Sequence, residues 1–161
     1  MVAVAQPKGG VDMAEFTNAG VQTVAPGETV VFSESALQNA NLVYHMDGTG
    51  NFLLIPRGCN CGRRREDNFL VSFGANIAIP EGGTVEPISL ALALNGATLP
   101  ATTMEVTPAA VNQYFNVARV SNVPVFARCC QTLVVRNTSS QPILVSAANI
   151  VIERAYNEWR W

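Results

Sequence analysis

The sequence is short of charge. Only 14% of its 161 residues are Asp, Glu, Lys or Arg, where an ordinary soluble domain carries about 25%. A free monomer of this size needs more charge to cover its surface. The shortfall implies that much of the surface lies against other copies of the chain or within a larger assembly. Lysine occurs once, at Lys8, and the formal net charge is −2. That balance argues against general affinity for nucleic acid or for an anionic membrane. No run approaches the roughly 18 continuous apolar residues of a membrane-spanning helix. The start, MVAVAQPKGG, has no charged n-region and does not read as a Sec-type signal peptide. Synthesis in a cytoplasm is expected, with retention there or release by a route other than secretion.

The chemistry-bearing residues are equally sparse. Histidine occurs once, at His45, and nothing in the sequence places Ser33, Ser35 or a cysteine beside it. Ser-His-Asp or Cys-His catalysis needs that partnership, so His45 reads as a structural residue. Gly48-Thr49-Gly50 lacks the spacing of a phosphate-binding loop and reads as a turn. Glu81, Glu86 and Glu105 have no calcium-loop spacing. The reading is non-enzymatic, with no catalytic or cofactor-binding residue.

Long helical periodicity is also missing. What is present, from Gly20 onward, is strand after strand separated by turn signals every eight to twelve residues, the pattern of an all-β sandwich or barrel. GVQTVAPGETVVFSE breaks at Pro26-Gly27, with Val30 and Phe32 on one face and Val31 on the other. Short strands are expected over 41–46 and 52–55, with DGTGN between them as a turn. FLVSFGANIAI (69–79) and VEPISLALALNG (85–96) follow, the second ending in an Asn95-Gly96 hairpin signal. Further β segments are expected over 113–120, 123–127, 132–137 and 143–154. TPAAVN (107–112) has room for one helical turn at most. Residues 1–19 show no sustained period and read as an N-terminal arm, residues 20–154 as the domain, and 155–161 as an aromatic tail.

Two strands carry apolar or small residues on both faces. In Ile88-Ser89-Leu90-Ala91-Leu92-Ala93-Leu94 one face fills a core and the other suits close packing against another sheet or subunit. Residues 143–152 behave alike, with Ser146 and Asn149 the exceptions. Ile88, Leu90, Leu92 and Leu94 are therefore expected at an interface. So are Tyr156, Trp159 and Trp161 of the tail AYNEWRW, because large aromatics on a free end are costly to leave in water.

The four cysteines come as two tight pairs, Cys59-Asn60-Cys61 and Cys129-Cys130. Neither has the CxxC spacing of a zinc knuckle. The first pair sits in RGCNCGRRRED, whose Arg63, Arg64 and Arg65 run straight into Glu66 and Asp67. No aromatic lies between Phe52 and Phe69, so the loop reads as solvated or salt-bridged to a neighbouring subunit rather than as a nucleic-acid probe.

Four stretches, in order and over about residues 20–154, carry a resemblance: GVQTVAPGETVVF (20–32), NFLVSFGANIAI (68–79), ISLALALNGATLP (88–100) and LVVRNTSSQPILVSAANIVIER (133–154). Together they resemble the TNF-like jelly roll found as the C-terminal domain of bacterial collagen-like and exosporium glycoproteins, and in related phage proteins. The resemblance implies a ten-stranded sandwich of two antiparallel sheets and a tight homotrimer, with the small-residue faces near the threefold axis. It also implies that the 57–67 and 126–131 loops share one end of the sandwich. Cys59, Cys61, Cys129 and Cys130 would then converge as a structural zinc site, as one or two disulfides, or as reduced thiols.

There are no Gly-X-Y repeats, so the chain is no collagen stalk. An arm, a free-standing jelly roll and an aromatic tail suit a phage capsid decoration or head-fibre protein. Such a protein is made in the host cytoplasm and sits on the capsid exterior, with other virion proteins and a host-surface glycan as expected partners. A bacterial surface or spore-coat trimer and a lectin-like module are the alternatives.

Overall fold

The computed structural model describes residues 12–57, 66–126 and 130–155. They form twelve strands in two antiparallel sheets. The first sheet holds β1 (Met13–Asn18), β2 (Gln22–Val24), β3 (Glu34–Leu37), β6 (Glu66–Ala78), β10 (Phe115–Phe126) and β12 (Ile143–Ala155). Its order is β10-β6-β12-β1-β3, with β2 also on β12. The second holds β4 (Val43–His45), β5 (Phe52–Leu54), β7 (Ile88–Leu94), β8 (Ala97–Thr98), β9 (Met104–Val106) and β11 (Gln131–Asn137). Its order is β4-β5-β11-β7-β8, with β9 also on β7. Among the described residues the only helical turn is the 3-10 turn Pro100–Thr102.

Period-2 alternation builds the core. In β6, Phe69, Val71, Phe73, Ala75 and Ile77 are buried while Leu70, Ser72 and Asn76 on the other face are half-buried. Phe32 and Phe52 meet edge-on with ring centroids 5.2 Å apart, and Phe16 tilts onto Phe52 at 5.0 Å. Each such ring taken out of water contributes on the order of 1.5–3 kcal/mol. The Asn95-Gly96 hairpin forms as expected. Both residues have positive φ, 49° and 83°, as a tight two-residue turn of the primed kind requires.

The structure corrects three expectations. Residues 1–19 are not all arm: Met13–Asn18 form β1, hydrogen-bonded between β12 and β3, with Ala14 and Phe16 buried. The described strands number twelve, not ten. The segments expected at 113–120 and 123–127 are one continuous strand, β10, registered residue by residue on β6 from Phe115↔Ile77 to Phe126↔Glu66. Pro124 is tolerated within it because β10 is an edge strand.

β12 explains its own two-faced pattern. A bulge between Ser146 and Asn149 shifts its register on β6. Ile143 and Val145 are buried before the bulge; Ala148, Ile150 and Ile152 are buried after it. The extra residue, Ala147, is exposed and holds φ at 50°. One inserted residue therefore moves the apolar set from odd to even positions.

A polar knot closes each end of the sandwich. At one end the Asn137 side chain, 1% exposed, donates to Val24 O at 2.9 Å and Gln141 O at 3.0 Å and accepts from the Ser139 N–H at 2.8 Å. At the other, the Arg154 side chain is 5% exposed. Its Nη2 donates to Ile55 O at 2.6 Å and Asn41 O at 3.1 Å. Nη1 lies 3.4 Å from Asp12 and Nε 3.6 Å from Asp67, and the guanidinium carbon sits 5.6 Å from the centre of the Phe69 ring. Asp67 also accepts the Arg57 N–H at 2.6 Å, and Asp12 accepts from Asn39 Nδ2 at 3.0 Å.

Arg154→Met should cost about 3 kcal/mol, because two largely buried carboxylates and two carbonyls lose their shared donor. Arg154→Lys should recover less than half, since an ammonium cannot spread over four oxygens as the planar fork does. Urea midpoints at unchanged slope read both effects; a loss below about 1 kcal/mol for Arg154→Met contradicts this clamping role. Ala147→Gly should stabilise by roughly 0.5–1 kcal/mol, the left-handed strain relieved less the entropy added to the unfolded chain. A destabilised Ala147→Gly would count against the bulge.

Candidate functional site

The outward face of the β10-β6-β12 sheet is the candidate interface. Register places its residues in rows. One row runs Val120, Ser72, Val151, Glu15, Leu37 across β10, β6, β12, β1 and β3. The next runs Ala118, Gly74, Asn149, Thr17, Glu34, and another Asn116, Asn76, Ser146. Across β10 and β6, and as far as Val151 on β12, none of these side chains is charged. Glu15, Glu34 and Glu153 lie toward the β12–β1–β3 side. Val120 is 62% exposed and Phe126 59% exposed. No described element covers this face, and β10 is its open edge.

The face expected to carry the interface is closed within the chain. Ile88, Leu90 and Leu92 are buried in the chain's own core, and Leu94 packs against it. The small side of β7 is buried too, with Ala91 and Ala93 at 0% exposure. The reason is topological. β7 runs between β11 on one side and β8 and β9 on the other. Arg136, opposite Ala91 in register, donates to Gly96 O at 2.9 Å, so its side chain crosses the face that Ala91 and Ala93 line. Val120, Ser72 and Val151 do not stand out in the sequence. Their signal is the uncharged set Asn116, Ala118, Val120, Asn122 and Pro124, visible only once 115–126 is read as one strand.

A second feature is the end of the sandwich at Arg154. Glu66 pairs with Phe126, and Gln131 with Leu54, so the flanks of both cysteine-bearing segments meet there. Asp12 and Ala155 lie at the same end, through Arg154 N–H to Asp12 O at 3.0 Å and the Ala155↔Asn68 pair. Cys59, Cys61 and Cys129 lie outside the described residues, as do Tyr156, Trp159 and Trp161. Cys130 is exposed and has no disulfide partner among the described residues. No group of three or more His, Cys, Asp or Glu that could hold a metal ion occurs among the described residues.

His45 is where a catalytic group would have to be sought, and its polar atoms are already engaged. Nδ1 lies 3.0 Å from Asn51 O and Nε2 3.2 Å from Phe32 O. The ring stacks on Phe52 at 4.5 Å and tilts against Phe16 at 4.8 Å. Both partners are carbonyl oxygens, so the one N–H of the neutral ring donates to one of them, and with the ring contacts this pins β4 to the aromatic core. Beside it, between the β3 and β4 edges, lies a crevice of about 230 Å³.

No family model matches the sequence, and no curated protein matches it. Solved structures do. Eiger TNF from S. frugiperda aligns at a TM-score of 0.61 and 13% identity, over 94% of this chain and 98% of that one. The globular domain of zebrafish complement 1qA aligns at 0.53 and 9% identity, over 91% and 97%. At these identities the likeness is one of fold. The chain is an all-β sandwich of two antiparallel sheets with the TNF-like jelly-roll fold.

Proposed function

We propose that the chain is a non-enzymatic structural protein that acts as a homotrimer, a capsid decoration or head-fibre protein of a phage virion. The observation that carries the trimer is the outward face of β10 and β6, uncharged over Asn116–Pro124 and Asn68–Asn76 and continuing to Val151 of β12, with Val120 in water on a single chain. An antiparallel sheet that faces water on one side alternates apolar with charged residues. This part of the face does not, and a different surface of another copy, repeated around a threefold axis, is the partner the proposed trimer gives it. Covering it also accounts for the low overall charge.

The virion reading is supported by polarity along the sandwich. Eight of the ten Lys and Arg residues (Lys8, Arg57, Arg63, Arg64, Arg65, Arg128, Arg154 and Arg160) fall in sequence within, or within two residues of, the segments outside the described residues, and the described residues that flank those segments lie at the Arg154 end. The connections at the Asn137 end, 25–29, 79–87, 107–114 and 138–142, carry Glu28, Glu81 and Glu86 and no basic residue. The Arg154 end is the one we assign to the shell, with the segment before Asp12 as anchor. The other end points outward as a weakly acidic tip.

Light scattering on the purified chain should give three times the chain mass. Val120→Arg should reduce this to one chain mass while leaving a cooperative unfolding transition, because Val120 contributes nothing to the monomer's core. A wild-type monomer, or a trimer indifferent to Val120→Arg, would remove the proposed interface. Labelled antibody against the Glu81–Glu86 loop should decorate the outside of intact virions; labelling only of disrupted particles would reverse the proposed orientation.

A further inference from the structure

The crevice between β3 and β4 is built from two unlike halves. Buried Phe16 and Val43 and half-buried His45 make its apolar part. Gln38 and Ala40, from the connection after β3, and exposed Asp47 make its polar part. Tyr44, also lining it, is 56% exposed, and neighbouring Met46 is 58% exposed. Among the described residues, Asp47 is the one charged group lining the crevice. Its occupant should be aromatic, with a cation nearby.

The chain has such a segment, and it starts beside the crevice. Asn39, part of the lining, donates to Asp12; Arg154 reaches back to Asn41 O; and the described part of β12 ends one residue later, at Ala155. Residues 156–161 read Tyr-Asn-Glu-Trp-Arg-Trp. Fully extended they span about 20 Å. The path from β12 across β1 to β3 is two strand spacings, about 10 Å. Segment 1–11 begins equally near but carries no aromatic residue.

We propose that residues 156–161 fold back across β1 and β3 and seat a tryptophan in this crevice, with Arg160 against Asp47. The tail then closes the gap between the two sheet edges on its own chain, and it is not the segment that grips a shell. The inference does not depend on the trimer or on the virion.

Trp159 and Trp161 are the chain's two tryptophans, so intrinsic tryptophan emission reports the tail alone. The full chain should emit to the blue of a synthetic 155–161 peptide and be quenched by acrylamide several-fold less. Ala40→Arg, which fills the crevice, and Asp47→Arg, which opposes Arg160, should each return both readings toward the peptide's. Both residues are exposed, so the fold is kept, and a cooperative urea transition verifies it. Val85→Arg, at the far end, should change nothing. Three results would overturn the proposal: peptide-like emission from the wild-type chain, shielded emission indifferent to both crevice variants, or shielding lost on dilution, which would make the occupant a second copy.

Discussion

A single buried cation organises one end of this molecule. The Arg154 guanidinium touches four stretches of chain far apart in sequence: Asp12 before β1, Asn41 before β4, Ile55 after β5 and Asp67 at the start of β6. A buried charge is costly unless it is paired and hydrogen-bonded. Its location is therefore tightly specified, and each partner is held where the arginine needs it. Both sheets are represented among them. The end of the sandwich is closed by a polar group that tolerates little sliding of one sheet over the other. Asn137 does a neutral version of the same job at the opposite end, fastening Val24 and Gln141 to the last residue of β11.

Much of the fold is legible in the sequence because local signals and global architecture agree. The Asn95-Gly96 turn, the alternation in 69–79 and the break at Pro26-Gly27 each specify their own local geometry. The failures have physical causes. Met13–Asn18 has too short an alternation to be distinguished from an arm, and it becomes a strand only because β12 and β3 offer it two ladders. Residues 115–126 read as two segments because Ser121, Asn122 and Pro124 carry loop chemistry; a long β6 beside them overrides that preference. The sequence points to β7 as an interface because small residues on a strand suit contact with another chain. In the structure they make room for Arg136 of the same chain.

The candidate site is less legible than the fold, since an interface is defined by what a surface lacks once folding is complete. No residue of the uncharged face is unusual alone. Asn116, Ser72, Gly74 and Asn149 are ordinary strand residues, and only register assembles them into one surface. The same holds for the Arg154 end. The cysteine pairs and the arginine run are conspicuous in the sequence, but that their described flanks lie at one end follows only from the pairing of Glu66 with Phe126 and of Leu54 with Gln131. The sandwich brings both ends of the described chain, and the described residues that flank both cysteine segments, to one pole.

Pro124 gives the open edge of the sheet a further property. β10 has no described neighbour on its outer side, and a long, weakly charged edge strand is the template from which chains polymerise into fibres. A proline in that strand has no N–H to offer, so a continuous backbone ladder cannot be propagated past it from one molecule to the next. Contacts along β10 are thereby biased toward side chains, which fit only a partner of matching shape and at a fixed angle. Contact through side chains at a fixed rotation makes a ring where the rotation closes, while growth by backbone pairing has no built-in end. One residue thus withholds from this edge the backbone ladder by which fibres grow.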